Sequence, residues 1–440
     1  MKISTFISKI ELGLSTYWHA RNAIKRQFNL DRIHSVQNTR LQNLIRYSYN
    51  NTKYYKEILE QVGIKPEQIR TAYDLQNIPF LTKEELRNRF WDFLPHKLPA
   101  CRVSRTSGST GVPVCIFADL NSRKFNSAAV IRHRKALGIP IIGRPILNTL
   151  KSKSEPPKAP HWTFVQGIHK TYYINPYIDS AENIEYTKEL VRQLKKPVLT
   201  GITPAIRILA AKIKDGFFPS FKPSVVMTGG EILSPEVREL VESTFGVKIT
   251  DIYACNEARD VAWQCRQAHG YHINADNVIM EIVKDNKPVP CGDVGEVVIT
   301  DLNRYAMPII RYKNGDLAKL TPKQCPCGCK LPMIAEILGR TGEDIFLPNG
   351  RTVPWNQLKS LMTHQHVRKF QLVQNYNGSF TIKYIPERNA DTKQLDELLL
   401  YRFRNLIGNS IEIKIEKTTL IPPAASGKSK LVVSHYKPRQ

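Results

Sequence analysis

Through residues 1–75 apolar positions recur with the spacing of a helix. Ile3, Phe6, Ile7, Ile10, Leu14, Tyr17 and Trp18 form one stripe, with Lys2, Lys9, Arg21, Lys25 and Arg26 beside it. Such a stripe usually packs against a neighbouring domain, and a basic one is also able to lie on lipid. A second helical run spans Asn38 to Tyr55, with Leu41, Leu44, Ile45 and Tyr47 near core spacing, followed by Tyr54 and Tyr55. Thr82 with Glu85 three residues later is a capping box that opens a further helix.

From 121 to 340 helical and strand-like stretches alternate, the order of an α/β core with its working loops after strand ends. Val225 to Thr228 reads as a strand ending in Gly229-Gly230, Pro235 to Phe245 as a helix, and Val247 to Thr250 as a strand running toward Tyr253. Residues 151–162 form a polar, proline-rich surface loop. Gly292 to Thr300 and Met307 to Tyr312 read as strands of a smaller β unit. After Gly339-Arg340 the pattern becomes alternating. Lys369 to Val373 and Phe380 to Tyr384 flank Asn377-Gly378, a hairpin signal. Asp391 caps a helix to Ile407, with Gly408 past its end, and Ile411 to Ile415 is a strand. The fold class expected is α/β. A large N-terminal domain covers 1–340, including the helical segment 1–75, and a small α+β domain covers 341–440.

A length of 440 residues fits two domains better than one core. With 42% hydrophobic and 23% charged residues the chain is globular rather than disordered. No run of eighteen apolar residues is present, and Lys9, Glu11, His19 and Arg21 interrupt any segment resembling a signal peptide. A cytoplasmic protein is expected, with the first helix as the candidate for peripheral membrane contact if it does not pack on the main domain. The net charge of +25 suits polyanionic ligands such as nucleotides and coenzyme A. Lys and Arg are spread thinly, without a dense basic block, so nucleic acid is not an expected partner. Cys325 and Cys327, with Cys265 and His272, would make a Cys₃His set suited to structural Zn²⁺. His269 and Cys329 are rival ligands, and simple reduced cysteines are the plainer reading.

The densest chemical signal is Arg105-Thr106-Ser107-Gly108-Ser109-Thr110-Gly111-Val112-Pro113. Glycines admit close backbone approach and the hydroxyls add donors, a combination fit to wrap a polyphosphate. The Walker ending is absent, and a bare Ser/Gly turn is the alternative. Four more segments follow in order: Gly229-Gly230-Glu231; Tyr253-Ala254-Cys255-Asn256-Glu257; Arg311-Tyr312-Lys313-Asn314-Gly315-Asp316 with Gly339-Arg340; and Ser426-Gly427-Lys428. From about residue 75 onward this series resembles the adenylate-forming enzymes. The nearest branch is that of the phenylacetate–coenzyme A ligases and their CapK-like relatives from capsular polysaccharide gene clusters.

The resemblance implies an ATP- and acid-binding N-terminal domain and a mobile C-terminal lid. It implies that a carboxylic acid is activated by ATP and Mg²⁺ as an acyl-adenylate, then passed to a thiol such as coenzyme A, or to an amine. Thr106, Ser107, Gly108, Ser109, Thr110 and Gly111 would hold the β- and γ-phosphates, although Val112 stands where many relatives carry lysine. Gly229, Gly230 and Glu231 would line the adenine pocket, and Tyr253 would lie against the base. Asn256 would touch the α-phosphate, and Glu257 would bind Mg²⁺. Asp316 would accept both ribose hydroxyls, with Arg340 as a second contact. Lys428 would swing onto the reacting carboxylate, or Lys430 in its place. An adenylyltransferase that leaves AMP on its substrate and a non-catalytic nucleotide-binding scaffold are the alternatives. Oligomeric state is not legible.

Overall fold

A computed structural model describes residues 3–105, 114–151, 155, 158–340, 345–353, 358, 367–387, 390–421 and 432–436. The chain divides into two compact units, 1–314 with 318–337, and 315–317 with 338–440.

The first unit begins with α1 (Ile3–Arg26), α2 (Leu30–Asn51) and α3 (Lys53–Gln61). The run expected from Asn38 to Tyr55 is broken at Thr52. Its amide and hydroxyl both donate to Ser48 O, at 3.0 and 2.8 Å, and its backbone is extended. Tyr54 and Tyr55 are thereby placed in a core with Leu41, Leu44, Ile45 and Phe93. The short helix α4 (Lys83–Asn88) starts at Thr82, whose hydroxyl accepts from Glu85 N at 3.2 Å. α5 (Leu120–Ala136) follows the hairpin of β1 (Cys101–Arg105) and β2 (Cys115–Asp119).

α1 packs on α5 through small residues and through His19, whose ring lies 4.6 Å from that of Phe125. Among the described side chains of α1, Thr16, Ala20 and Ala23 are the buried positions, and Ala20 meets Ala128 and Ile131. A Cβ on Gly13 would lie 2.8 Å from Phe164 O. Small side chains let the backbones approach, so Leu14, Tyr17 and Trp18 stay exposed. Docking of the large stripe on the main domain, the commoner fate of such a helix, therefore does not occur at these three residues.

The central strands are β3 (Ile146–Thr149), β4 (His161–Thr163), β5 (His169–Ile174), β6 (Val198–Ile202), β7 (Val225–Gly229), β8 (Ile249–Cys255), β9 (Arg259–Trp263) and β10 (Tyr271–Ile273). They continue with β11 (Val278–Lys284), β12 (Lys287–Pro288), β13 (Val294–Asp301), β14 (Tyr312–Thr321) and β15 (Met333–Arg340). These make one sheet in the order β12-β11-β13-β14-β15-β10-β9-β8-β7-β6-β3-β5-β4. Its middle, β8-β7-β6-β3-β5, is parallel. The intervening helices α6 (Ala181–Gln193), α7 (Thr203–Lys214) and α8 (Pro235–Phe245) bury Leu190, Ile206, Leu209, Val241 and Phe245 in one core with Leu199 and Val226 of those strands. This is the arrangement the alternating pattern implies.

Met307 to Ile310 forms no strand. Pro308 lacks an amide donor, and the backbone turns at Arg311 with φ +52° before β14 begins at Tyr312. The buried side chains of this segment pack under α2 and α3 instead.

In the second unit β16 (Ile345–Phe346) pairs with β17 (Thr352–Val353). A separate sheet runs β20-β19-β18-β21, from β18 (Val367–Gln374), β19 (Phe380–Pro386), β20 (Ile413–Lys417) and β21 (Val432–Ser434). The hairpin turns at Asn377-Gly378, where Gly378 has φ +84°. Asp391 caps α9 (Thr392–Ile407) by accepting from Lys393 N and Gln394 N. Leu395, Leu399 and Phe403 of that helix form one core with Phe380, Ile382 and Tyr384.

Candidate active site

The C-terminal ends of β7 and β8 bring several of the expected residues together. β7 ends in Gly229, opposite Ile252 of β8. A side chain at Gly229 would put Cβ 2.7 Å from Ile252 O, so only glycine fits this pairing. Gly230 then takes φ +84°. Glu231 is held through its carbonyl, which accepts from Thr203 Oγ1 at 3.1 Å.

β8 carries Tyr253, and Asn256 and Glu257 lie in the turn to β9. Both Tyr253 and Glu257 are buried, and both are tied to β14. Asn314 Nδ2 donates to Tyr253 Oη at 2.7 Å, and Tyr312 Oη donates to Glu257 Oε1 at 3.2 Å. The start of β14 is fixed in turn by Leu81, whose backbone bonds to Arg311 O and Lys313 N at 2.9 and 3.0 Å. Arg311 grips both Glu281 oxygens, donates to the carbonyls of Gln76 and Ile78, and stacks on Phe80 at 4.1 Å. It is a clamp on the strand that presents Tyr312 and Asn314. Asp316 lies further along β14 and is buried.

Thr106, Ser107, Gly108, Ser109, Thr110, Gly111 and Lys428 lie outside the described residues, as do Lys430 and the side chain of Arg340, the last residue of β15.

Beside Gly229, Gly230 and Ala254 opens a cleft of about 300 Å³, at the strand ends where open α/β sheets bind ligands. Asn148, Lys151, Lys158, Tyr173 and Thr200 line it. Asp260 reaches the same cleft; burial pushes its carboxyl up to about 6, against the pull of Arg134 and Arg259. Position in the sequence offers Arg132, His133 and Arg134 of α5 and Tyr172 and Tyr173 of β5 as candidate acid contacts, and of these Tyr173 lines the cleft. The three α5 side chains are engaged elsewhere. Arg132 donates to both oxygens of Asp276, at 2.9 and 3.1 Å, and to Asn274 Oδ1 at 2.6 Å. Burial alone would raise the Asp276 carboxyl, but Arg132 and Arg26 hold it well below the usual carboxylate range. His133 stacks on Trp263 with centroids 5.0 Å apart, and burial lowers it to about 3. Arg134 donates to Gln166 O at 2.8 Å.

A second constellation sits away from these strand ends. Single ligand atoms of Cys265, His272, Cys325 and Cys327 all fall within 4.8 Å of one another. The Cys265–Cys325 sulfurs are 3.5 Å apart, and Cys327 Sγ is 3.4 Å from His272 Nε2. Zinc bonds of about 2.3 Å to sulfur and about 2.0 Å to nitrogen give tetrahedral edges of roughly 3.5–3.8 Å. The donor set therefore fits that ion. Of the rivals, Cys329 is turned toward Gln27 Oε1 at 4.0 Å, and His269 is not among the four.

Comparison with known proteins agrees with this architecture. Residues 346–435 match the CapK C-terminal domain family. The chain is 28% identical over 363 residues to phenylacetate-coenzyme A ligase of Thermus thermophilus, spanning 79% of this chain and 80% of that one. It is 21% identical to Protein CapK of Staphylococcus aureus, over 95% and 93% of the two chains. The crystal structure of 2-hydroxyisobutyryl-CoA ligase in the postadenylation state superposes with a TM-score of 0.73 at 17% identity, covering 93% of this chain and 91% of the other. The chain is thus a relative of the phenylacetate–coenzyme A ligases and of CapK, with the fold of the adenylate-forming ligases.

Proposed function

We propose that this protein is an adenylate-forming acid–thiol ligase, working on a carboxylic acid, ATP and coenzyme A. The observation that carries the reading is the junction of β7, β8 and β14. There Gly229-Gly230, Tyr253 and Glu257 gather beside a cleft, in a chain similar along most of its length to phenylacetate-coenzyme A ligases. A carboxylate oxygen attacks the α-phosphorus, the α–β bridge breaks and pyrophosphate leaves. The thiol then adds to the acyl carbon, its proton passes to solvent and AMP departs.

Two anions must meet in the first step, so positioning and charge neutralisation carry the catalysis. Gly229 and Gly230 leave room for adenine at the strand end, and Tyr253 covers it. Glu257, pinned by Tyr312, offers the hard oxygen that Mg²⁺ prefers, and that ion would neutralise the phosphates. Asn256 orients the α-phosphate. Asp316 takes the ribose hydroxyls, with Arg340 as the second contact. Thr106 to Gly111 hold the terminal phosphates, and Lys428 on the second unit supplies a cation during adenylation only. The acid occupies the cleft lined by Asn148, Tyr173 and Thr200. The Cys₃His cluster holds a structural zinc. The likeness to CapK and the CapK-type C-terminal domain support a place in capsule assembly.

The test is to incubate the protein with ATP, Mg²⁺, coenzyme A and a panel of aryl, acyl, hydroxy and amino acids, and to follow products by mass spectrometry. Acyl-coenzyme A and AMP are expected with at least one acid. A stable AMP–substrate adduct without pyrophosphate-dependent reversal would instead mark an adenylyltransferase.

A further inference from the structure

The face of α1 left uncovered has the composition of a membrane-binding surface. The helix has two opposite sides. Gly13, Thr16, Ala20 and Ala23 face the protein, with Arg26 paired to Asp276. A hundred degrees per residue puts Leu14, Tyr17, Trp18, Arg21 and Lys25 within about a third of the circumference, on the other side. Leu14 is 66% exposed, Tyr17 44% and Trp18 60%. In the sequence the same spacing runs back through Ile10, Ile7 and Ile3. A helix that buries alanines and displays leucine, tyrosine and tryptophan is inverted relative to ordinary amphipathic packing.

We propose that α1 binds the surface of an anionic lipid bilayer, lying in the interface with this face down. Charge selects the occupant. With Arg26 taken up by Asp276, residues 1–29 still hold Lys2, Lys9, Arg21 and Lys25 against a single acid, Glu11. Arg21 and Lys25 are exposed within the apolar stripe and form no ion pair among the described residues. Tyr17 and Trp18 are the amphipathic rings that settle at headgroup depth, while long basic side chains reach up to lipid phosphates. A second copy of this chain is a poorer fit, because pairing this face with itself would bring four basic side chains, Arg21 and Lys25 of each copy, into one interface with only Glu11 of each to offset them. Among the described residues no helix is long and apolar enough to cross a membrane, so the contact is peripheral.

The experiment is vesicle co-sedimentation of the full chain, with phosphatidylcholine alone and with about 30% phosphatidylserine added. Binding is expected on the anionic vesicles only, falling as salt rises. The double variant Leu14→Ser/Trp18→Ser should bind about tenfold more weakly. Arg21→Gln/Lys25→Gln should lose the preference for anionic lipid. All four side chains are exposed, so the unfolding midpoint should not move, which separates lost binding from lost folding. Absence of binding, or equal binding by the Leu14/Trp18 variant, would overturn the proposal. So would light scattering that finds a dimer which this variant converts to monomer.

Discussion

Gly229 shows how narrowly the strand junction is built. Its missing side chain lets β7 pair with Ile252, and a methyl there would press on that carbonyl at 2.7 Å. Gly229→Ala should destabilise the protein by about 1–3 kcal/mol in urea unfolding, and should also cut nucleotide-dependent activity. An unaltered midpoint would mean the backbone shifts freely. His133 gives a pH signature of its own. Burial, then Arg134, lower it to about 3, below its unfolded value of about 6.5. As pH falls the unfolded chain takes up the proton first. This contribution to stability is therefore intact above about pH 6.5 and lost progressively toward pH 3, amounting to about 2 kcal/mol by pH 5. His133→Phe, which keeps a ring against Trp263, should lose that much less than the native chain between pH 7 and 5. The motif glycines could be picked out from the sequence because a strand followed by Gly-Gly has few uses. The engagement of Arg132 could not. Its partner Asp276 lies 144 residues away, and no local pattern reports such a pair.

At the scale of elements, the local signals carried furthest where the chemistry is local. Thr82 with Glu85 and Asp391 before α9 were readable because caps are made by near neighbours. The Asn377-Gly378 turn was readable for the same reason. Elements decided by packing were not. Met307 to Ile310 has strand composition, yet Pro308 and the turn at Arg311 withhold it from the sheet. Thr52 divides a continuous apolar period by returning its donors to Ser48. The cysteine cluster joins the segment after β9 to the one before β15, which gives a prediction at this scale. Metal analysis should find one zinc per chain, lost in Cys325→Ser or on exhaustive chelation, with a lower unfolding temperature. A protein without zinc, equally stable with chelator, would make the four side chains plain thiols and imidazole.

For the whole molecule, the first unit supplies the strand junction and the cleft, and the second has its own sheet and helix core. Helix and strand alternate along the first, and the hairpin pattern falls in the second. The candidate site could be read only through motifs in order, because the residues that meet in space come from β7, β8 and β14, far apart along the chain. The lining of the cleft is not read this way, since Asn148, Tyr173 and Thr200 belong to no motif. Acid-dependent exchange of labelled pyrophosphate into ATP bears most directly on the central claim that these strands bind ATP and form an acyl-adenylate. With a cognate acid and Mg²⁺ the native chain should exchange label, and Asp316→Ala should reduce the rate by roughly a hundredfold, about 2.7 kcal/mol. No measurable affinity for ATP with magnesium, or exchange untouched in Asp316→Ala, would contradict it.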